Sequence, residues 1–111
     1  MPVKEVVILE EAANDMEAGK IFYDQREFGV GDYFWDSLIA EIESLFIFAG
    51  IHAKEYNLHR LLAAKFPYAV YYKLRNDLVY VVAVLPLRRD PAWLEENITG
   101  RPLTQQDSAD K

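Results

Sequence analysis

The longest uncharged apolar stretch in the chain, Leu78–Leu87, is rich in valine and apolar at both alternating sets of positions. A stretch of this kind reads as a central strand, because its two faces stay out of water only if each is covered. Pro86 interrupts it, and it falls far short of the roughly 20 residues a bilayer-spanning helix needs.

The neighbouring sequence supplies partners and cover. From Leu58 the hydrophobic period is two, so Leu58–Phe66 and Tyr68–Arg75 read as strands, with Pro67 at a strand start or bulge. Asn76 and Asp77 tolerate left-handed backbone angles and form a two-residue hairpin turn before Leu78. Val3–Leu9, with its β-branched residues, is a further strand. From Glu10 the period changes. Ala12, Met16, Gly19 and Tyr23 share one helical face, and acidic residues crowd the opening turns. Phe28-Gly29-Val30-Gly31 ends this helix, and Asp32 is the expected N-cap of a second. Phe34/Trp35, Leu38, Ile42 and Leu45 form its apolar stripe, and Gly50 ends it. Asp90 before Pro91 marks the start of a short helix over Ala92–Asn97. The order is β-α-α-β-β-β with a short C-terminal helix. It defines an α+β fold, a mostly antiparallel sheet packed by a helical hairpin. Residues 1–98 are expected to form one domain, and the polar segment 99–111 a flexible tail.

With 111 residues, 51% of them hydrophobic and 14% aromatic, the chain has enough apolar matter for a single core without staples. It has no cysteine, which removes disulfides, thiol nucleophiles and cysteine-ligated zinc. Neither His52 nor His59 has a carboxylate or second histidine at metal-ligand spacing, and no glycine-rich phosphate loop occurs. No cofactor and no metal are therefore expected. The apolar run near the N-terminus is too short for a signal-peptide core, so a cytoplasmic protein without a membrane partner is expected.

The formal net charge of −6 argues against a general nucleic-acid binder, yet the charge is divided unevenly. Residues 1–53 hold three basic side chains against eleven carboxylates, a net of −8. Residues 54–90 hold seven basic against three acidic, a net of +4. Residues 91–111 hold two against four, a net of −2. An acidic half followed by a basic stretch points to one charged partner surface.

Within that basic stretch, His59-Arg60-Leu61, Lys65-Phe66-Pro67-Tyr68, Val70-Tyr71-Tyr72, Val79–Val84 and Arg88-Arg89-Asp90-Pro91-Ala92-Trp93 closely resemble the RelE/ParE toxin superfamily, in its plasmid stabilisation branch. Ala12-Ala13 with Asp15, then Phe22-Tyr23, and Phe34-Trp35 with Leu38 resemble its two helices, so the likeness covers about residues 3–97. The resemblance implies a small bacterial toxin, made with an antitoxin that wraps and neutralises it in a type II toxin–antitoxin pair. RelE-like members cut mRNA in the ribosome with lysines, arginines and a tyrosine. ParE-like members poison DNA gyrase and are not known to catalyse a reaction.

A metal-free RNase needs a proton acceptor for the 2′-hydroxyl, a proton donor for the leaving oxygen and cations for the phosphorane charge. Carried onto this sequence, that set reduces to Arg60, Lys65 and Arg88 or Arg89. Ala69 stands where the family arginine after the hairpin tyrosine is expected, and Trp93 stands near the place of a tyrosine, without a titratable proton. The ParE-like reading, a gyrase inhibitor and not an enzyme, is favoured. The alternatives are a ribosome-dependent mRNA endoribonuclease and a non-toxic relic that only binds antitoxin. The net acidity weighs most against the ribosome and its mRNA as partner, where phosphates surround the whole surface. The expected surface for antitoxin or target is Arg60, Arg75, Arg88, Arg89 and Trp93. Arg88-Arg89 is the strongest pair, because adjacent residues leaving a strand point to opposite sides. Arg60 can equally cap a sheet edge or pair with a helix carboxylate. His59 reads as a satisfied structural histidine, and His52 as a partner for the second helix's negative end. Tyr68, Tyr71, Tyr72 and Tyr80 can stack nucleobases, yet at least half belong in the core by alternation.

Overall fold

The computed structural model describes residues 2–104. Along the chain run β1 (Glu5–Ile8), α1 (Glu10–Arg26), α2 (Val30–Glu43), the single turn α3 (Leu45–Phe48), β2 (Lys54–Glu55), β3 (Leu58–Leu62), β4 (Tyr68–Arg75), β5 (Leu78–Pro86) and α4 (Pro91–Ile98). The five strands form one sheet in the order β1-β5-β4-β3-β2, antiparallel except for the β1–β5 pair. The α+β class and the expected succession of major elements are both present, and β5 lies inside the sheet.

The two faces of β5 are indeed covered from opposite sides. Val79, Val81 and Val84 join Met16, Phe34, Leu38 and Leu45 beneath the α1–α2 hairpin. Val82, Ala83 and Leu85 join Leu94 and Ile98 beneath α4. Strict alternation would not place Val82 and Ala83 on the same side. A bulge allows it, since Tyr71 pairs with Ala83 and Tyr72 with Val81, leaving Val82 without a partner.

Several boundaries differ from the sequence expectations. The second helix starts at Val30, with Gly29 at its N-cap in the left-handed region. Asp32 does not cap it, and lies 3.4 Å from Lys20 instead. The cap comes from the other helix: Asp24 Oδ1 accepts the Gly31 N–H at 2.8 Å. Gly31 is needed for that approach, because a Cβ there would sit 2.4 Å from the Lys20 carbonyl oxygen. The β3 strand stops at Leu62. Beyond it the Ala63 N–H reaches back to the Tyr68 carbonyl, and the Ala64 N–H donates to Glu41 Oε2. Two-residue β2 was missed, because its hairpin turn is Tyr56-Asn57, both at positive φ, without the glycine that normally marks one. The C-terminal helix extends by a residue at each end, and Asp90 caps it by accepting the Trp93 N–H.

The packed chain also continues past residue 98. The Arg101 side chain is only 9% exposed, and Thr104 is buried. Residues 99–104 of the expected tail are therefore held against the domain, while 105–111 lie outside the described residues.

Candidate binding site between the first and last helices

The sequence of β5 ends in Pro86, which cannot extend a ladder, and Leu87 closes the strand end by donating its N–H to the Pro67 carbonyl at 2.8 Å. Pro67 fixes the entry to β4, and the Tyr68 N–H bonds back to the Phe66 carbonyl at 2.7 Å. Arg88 and Arg89 then leave the sheet, both exposed, and the Asp90 cap turns the chain into α4. These local choices place Pro67, Tyr68, Leu85, Arg88, Arg89 and Trp93 around a cleft of about 550 Å³ between α1 and α4.

The floor of the cleft is Gly19. A Cβ there would lie 2.5 Å from the Phe34 ring of α2 and 3.3 Å from the Tyr68 hydroxyl, so α1 can pack this closely on Phe34 only with glycine. Behind it Tyr23, Phe34, Phe66 and Tyr68 pack ring to ring at 4.8–6.3 Å. Burial, with smaller effects from Tyr23 and Asp15, pushes the Tyr68 hydroxyl up to about 12. It is thus a neutral hydrogen-bonding group at physiological pH and a poor general base. At the mouth, the Arg89 guanidinium stacks 4.1 Å from the Trp93 ring centroid. Among the described residues neither Arg88 nor Arg89 is in an ion pair.

One carboxylate lines the cleft, and it is already occupied. The β1 strand pairs with β5 only as far as Val81, so the edge of β5 beyond that point has lost its strand partner. Asp15 Oδ2 accepts the Val84 N–H at 2.9 Å, and Arg101 donates to the Val82 carbonyl at 3.1 Å. Arg101 also grips Asp15 with both ends of its fork, at 2.6 and 3.0 Å. A helix carboxylate and a guanidinium from the C-terminal segment thereby stand in for the missing strand. The cleft is left apolar inside and cationic at its mouth.

The structure brings Arg88, Arg89 and Trp93 together and leaves the other expected site residues apart. Arg75 pairs with Leu78 at the opposite end of β5, nine residues or about 30 Å along the strand. Arg60 lies across from Tyr71 on the α4 face, with no carboxylate partner among the described residues. Burial raises the Tyr71 pKa, and the nearby Arg60 guanidinium partly offsets this. Lys65 is on the hairpin side, its Nζ 5.4 Å from the Tyr33 ring centroid. Tyr68, Tyr71 and Tyr72 are buried in the core, and Tyr80 is half-buried. His59 is structural, stacked on Tyr72 and bonded to the His52 carbonyl. His52 bonds to the Tyr72 hydroxyl at 2.6 Å, a partner different from the helix end.

Sequence reasoning missed Asp15, Gly19 and Arg101 as parts of this site. A signal existed for Asp15, which sits one turn from both Ala12 and Gly19 on an otherwise apolar stripe. Arg101, a lone cation in a polar segment, had none.

An α+β domain with a mixed five-stranded sheet, a helical hairpin on one face and a cationic cleft at the end of its middle strand is the class of protein defined by this geometry. A chain of a solved structure described as the chromosomal ParDE TA system from P. aeruginosa shares it. That chain superposes with a TM-score of 0.70 over 78% of this chain and 98% of its own length, at 11% sequence identity. The fold is thus RelE/ParE-like, as the motif resemblance implied. No protein-family model matches the sequence, and no curated protein matches it either.

Proposed function

We propose that this protein is the toxin of a type II toxin–antitoxin pair, acting in the cytoplasm by binding DNA gyrase and neutralised by a cognate antitoxin. The fold it shares with a chain of the ParDE system supports the toxin–antitoxin reading. The choice of binding over RNA cleavage rests on one observation: the candidate cations do not converge. Arg60 and Lys65 sit on opposite faces of the sheet, and Arg88-Arg89 lie some five residues, about 16 Å, along β5 from the position level with Arg60. Ala69, where the RNase pattern wants an arginine, is fully buried. General acid–base cleavage needs its groups within hydrogen-bond reach of one phosphate, and this arrangement does not provide that.

Arg88, Arg89 and Trp93 are the residues proposed to meet antitoxin or target. A guanidinium pair with no ion-pair partner among the described residues, beside an apolar cleft, suits a segment that carries carboxylates next to bulky apolar side chains.

The test is induction of the protein without antitoxin, followed by separate gyrase and translation readouts. Growth arrest, with purified protein inhibiting supercoiling or trapping cleaved DNA, is the expected result. Codon-specific mRNA cuts that vanish in an Arg88→Ala/Arg89→Ala variant would replace this reading with a ribosome-dependent endonuclease. Unimpaired growth would leave an antitoxin-binding domain without toxicity.

A further inference from the structure

One polar group at the bottom of the cleft is left over by the fold. Tyr68 is only 8% exposed, and its hydroxyl lies over Gly19, 3.3 Å from where a Cβ on that residue would sit. Among the described residues this hydroxyl has no hydrogen-bond partner. Its neighbours on β4 are placed differently. The Tyr72 hydroxyl meets the Gly50 N–H and His52, and the Tyr71 hydroxyl is sealed from solvent beside Arg60. Folded proteins pair their buried polar groups, so an unpaired one that faces a cleft marks the place of a partner from outside.

The remaining polar groups of the cleft say what that partner is. Asp15 is taken up by the Val84 N–H and by Arg101, and Asn97 donates from Nδ2 to the Trp93 carbonyl at 2.8 Å. Tyr68 keeps its proton at physiological pH, because burial pushes its pKa up to about 12. It therefore offers a donor at the inner end. Arg88 and Arg89 offer donors and positive charge at the outer end, and the Trp93 ring holds the Arg89 guanidinium in place at 4.1 Å. Between the two ends the walls are apolar, with Phe22, Leu85 and Trp93 among them. The volume of about 550 Å³ is that of a site for a small molecule.

We propose that the cleft binds a small organic carboxylate that has an apolar body and a hydrogen-bond acceptor at its inner end. The Tyr68 O–H donates to the acceptor, Arg88 and Arg89 hold the carboxylate, and the apolar walls take the body between them. Each end contributes a different kind of selectivity. A ligand without the inner acceptor leaves the Tyr68 hydroxyl buried and unpaired, and one without the charge forfeits the guanidinium contacts. The inference goes beyond the toxin reading and does not depend on it.

NMR titration of the intact protein with para-acetylbenzoate and its longer homologue para-acetylphenylpropanoate tests it. Each is compared with an isopropenyl analogue, which has the shape of the acetyl group but no acceptor, and with its neutral carboxamide. The Trp93 indole and Gly19 amide signals should shift. The better acetyl carboxylate should bind about three-fold or more tighter than its isopropenyl analogue, and about ten-fold tighter than its carboxamide. Tyr68→Phe should erase the first preference and keep the second, and Arg88→Ala/Arg89→Ala should do the reverse. Tyr68→Phe should also melt no lower than the wild type, because its hydroxyl has no bond in the fold to lose. The proposal is overturned if neither acetyl probe shifts those signals, or if acetyl and isopropenyl probes bind equally. A lower melting temperature for Tyr68→Phe also overturns it, since the hydroxyl would then have its partner within the protein. None of these readouts involves gyrase, translation or antitoxin, so their failure leaves the toxin reading standing.

Discussion

On the hairpin face, Met16, Phe34, Leu38 and Leu45 reach full burial over Val70, Tyr72 and Val79. On the other face the cover is Leu94 and Ile98 of an eight-residue helix, together with the Arg101 guanidinium. The first side is closed by a large apolar surface whose removal from water stabilises it at about 25 cal/mol per Å². The second is closed by a smaller apolar cluster to which Trp93 and Leu103 add, while the Asp15–Arg101 clamp satisfies backbone groups at the β5 edge. On that second side Arg60 has no carboxylate partner among the described residues, and Arg88-Arg89 flank its helix. The apolar packing is thus weighted toward one face of the sheet, and the cleft opens where α1 and α4 meet from its two sides at the end of β5.

Four measurements break or sharpen that contrast. Phe34→Ala on the hairpin face should cost the most, about 4 kcal/mol in urea unfolding, because it opens a cavity among the rings of Tyr23, Phe66 and Tyr68. Arg101→Ala should cost less, about 3 kcal/mol, since it strands Asp15, which is 14% exposed and keeps only its Val84 bond. Equal or reversed losses would mean that the α4 face carries the fold. Acid should have a smaller effect. Unfolded His52 takes up its proton near 6.5, whereas in the fold burial holds its pKa lower. The unfolded state therefore binds more protons just below 6.5, and stability is full above that value and declines as pH falls through the folded pKa. His52→Asn should remove this part of the decline in a thermal melt. The smallest effect belongs to the mouth of the cleft: Arg88→Ala/Arg89→Ala should change stability by less than about 0.5 kcal/mol while abolishing antitoxin capture. A large destabilisation would show these arginines to be structural.

The hairpin face was legible in the sequence because apolar packing leaves a period. Ala12, Met16 and Gly19 on one helix and Phe34, Leu38 and Ile42 on the other announced their burial, as did both faces of Leu78–Leu87. The polar devices were not legible, because their partners are remote and leave no spacing to read. The carboxylates of α1 and α2 carry no such spacing, yet Asp15, Asp24 and Glu41 each accept a backbone N–H from outside their own helix. Asp24 was passed over as the cap of the second helix in favour of Asp32, the nearer residue in sequence. Of the expected site, Arg88, Arg89 and Trp93 lie together because a strand end and a helix cap hold them within six residues. Arg60, Arg75 and Lys65 depended on register and on which face each strand turns, which local sequence does not fix.

The repair of the β5 edge has a consequence for how the molecule comes into being. Glu5–Ile8 pair with Leu78–Val81, and Asp15 waits for Arg101, 86 positions later in the chain. A ribosome that has delivered all five strands and α4 has still not released the residue that seals the exposed part of the β5 edge. Nascent chains that have not yet delivered Arg101 therefore expose that edge, and a chain cut before Arg101 is left with an open seam. Closure of the β5 edge therefore waits on Arg101, which follows every strand and α4 in the chain.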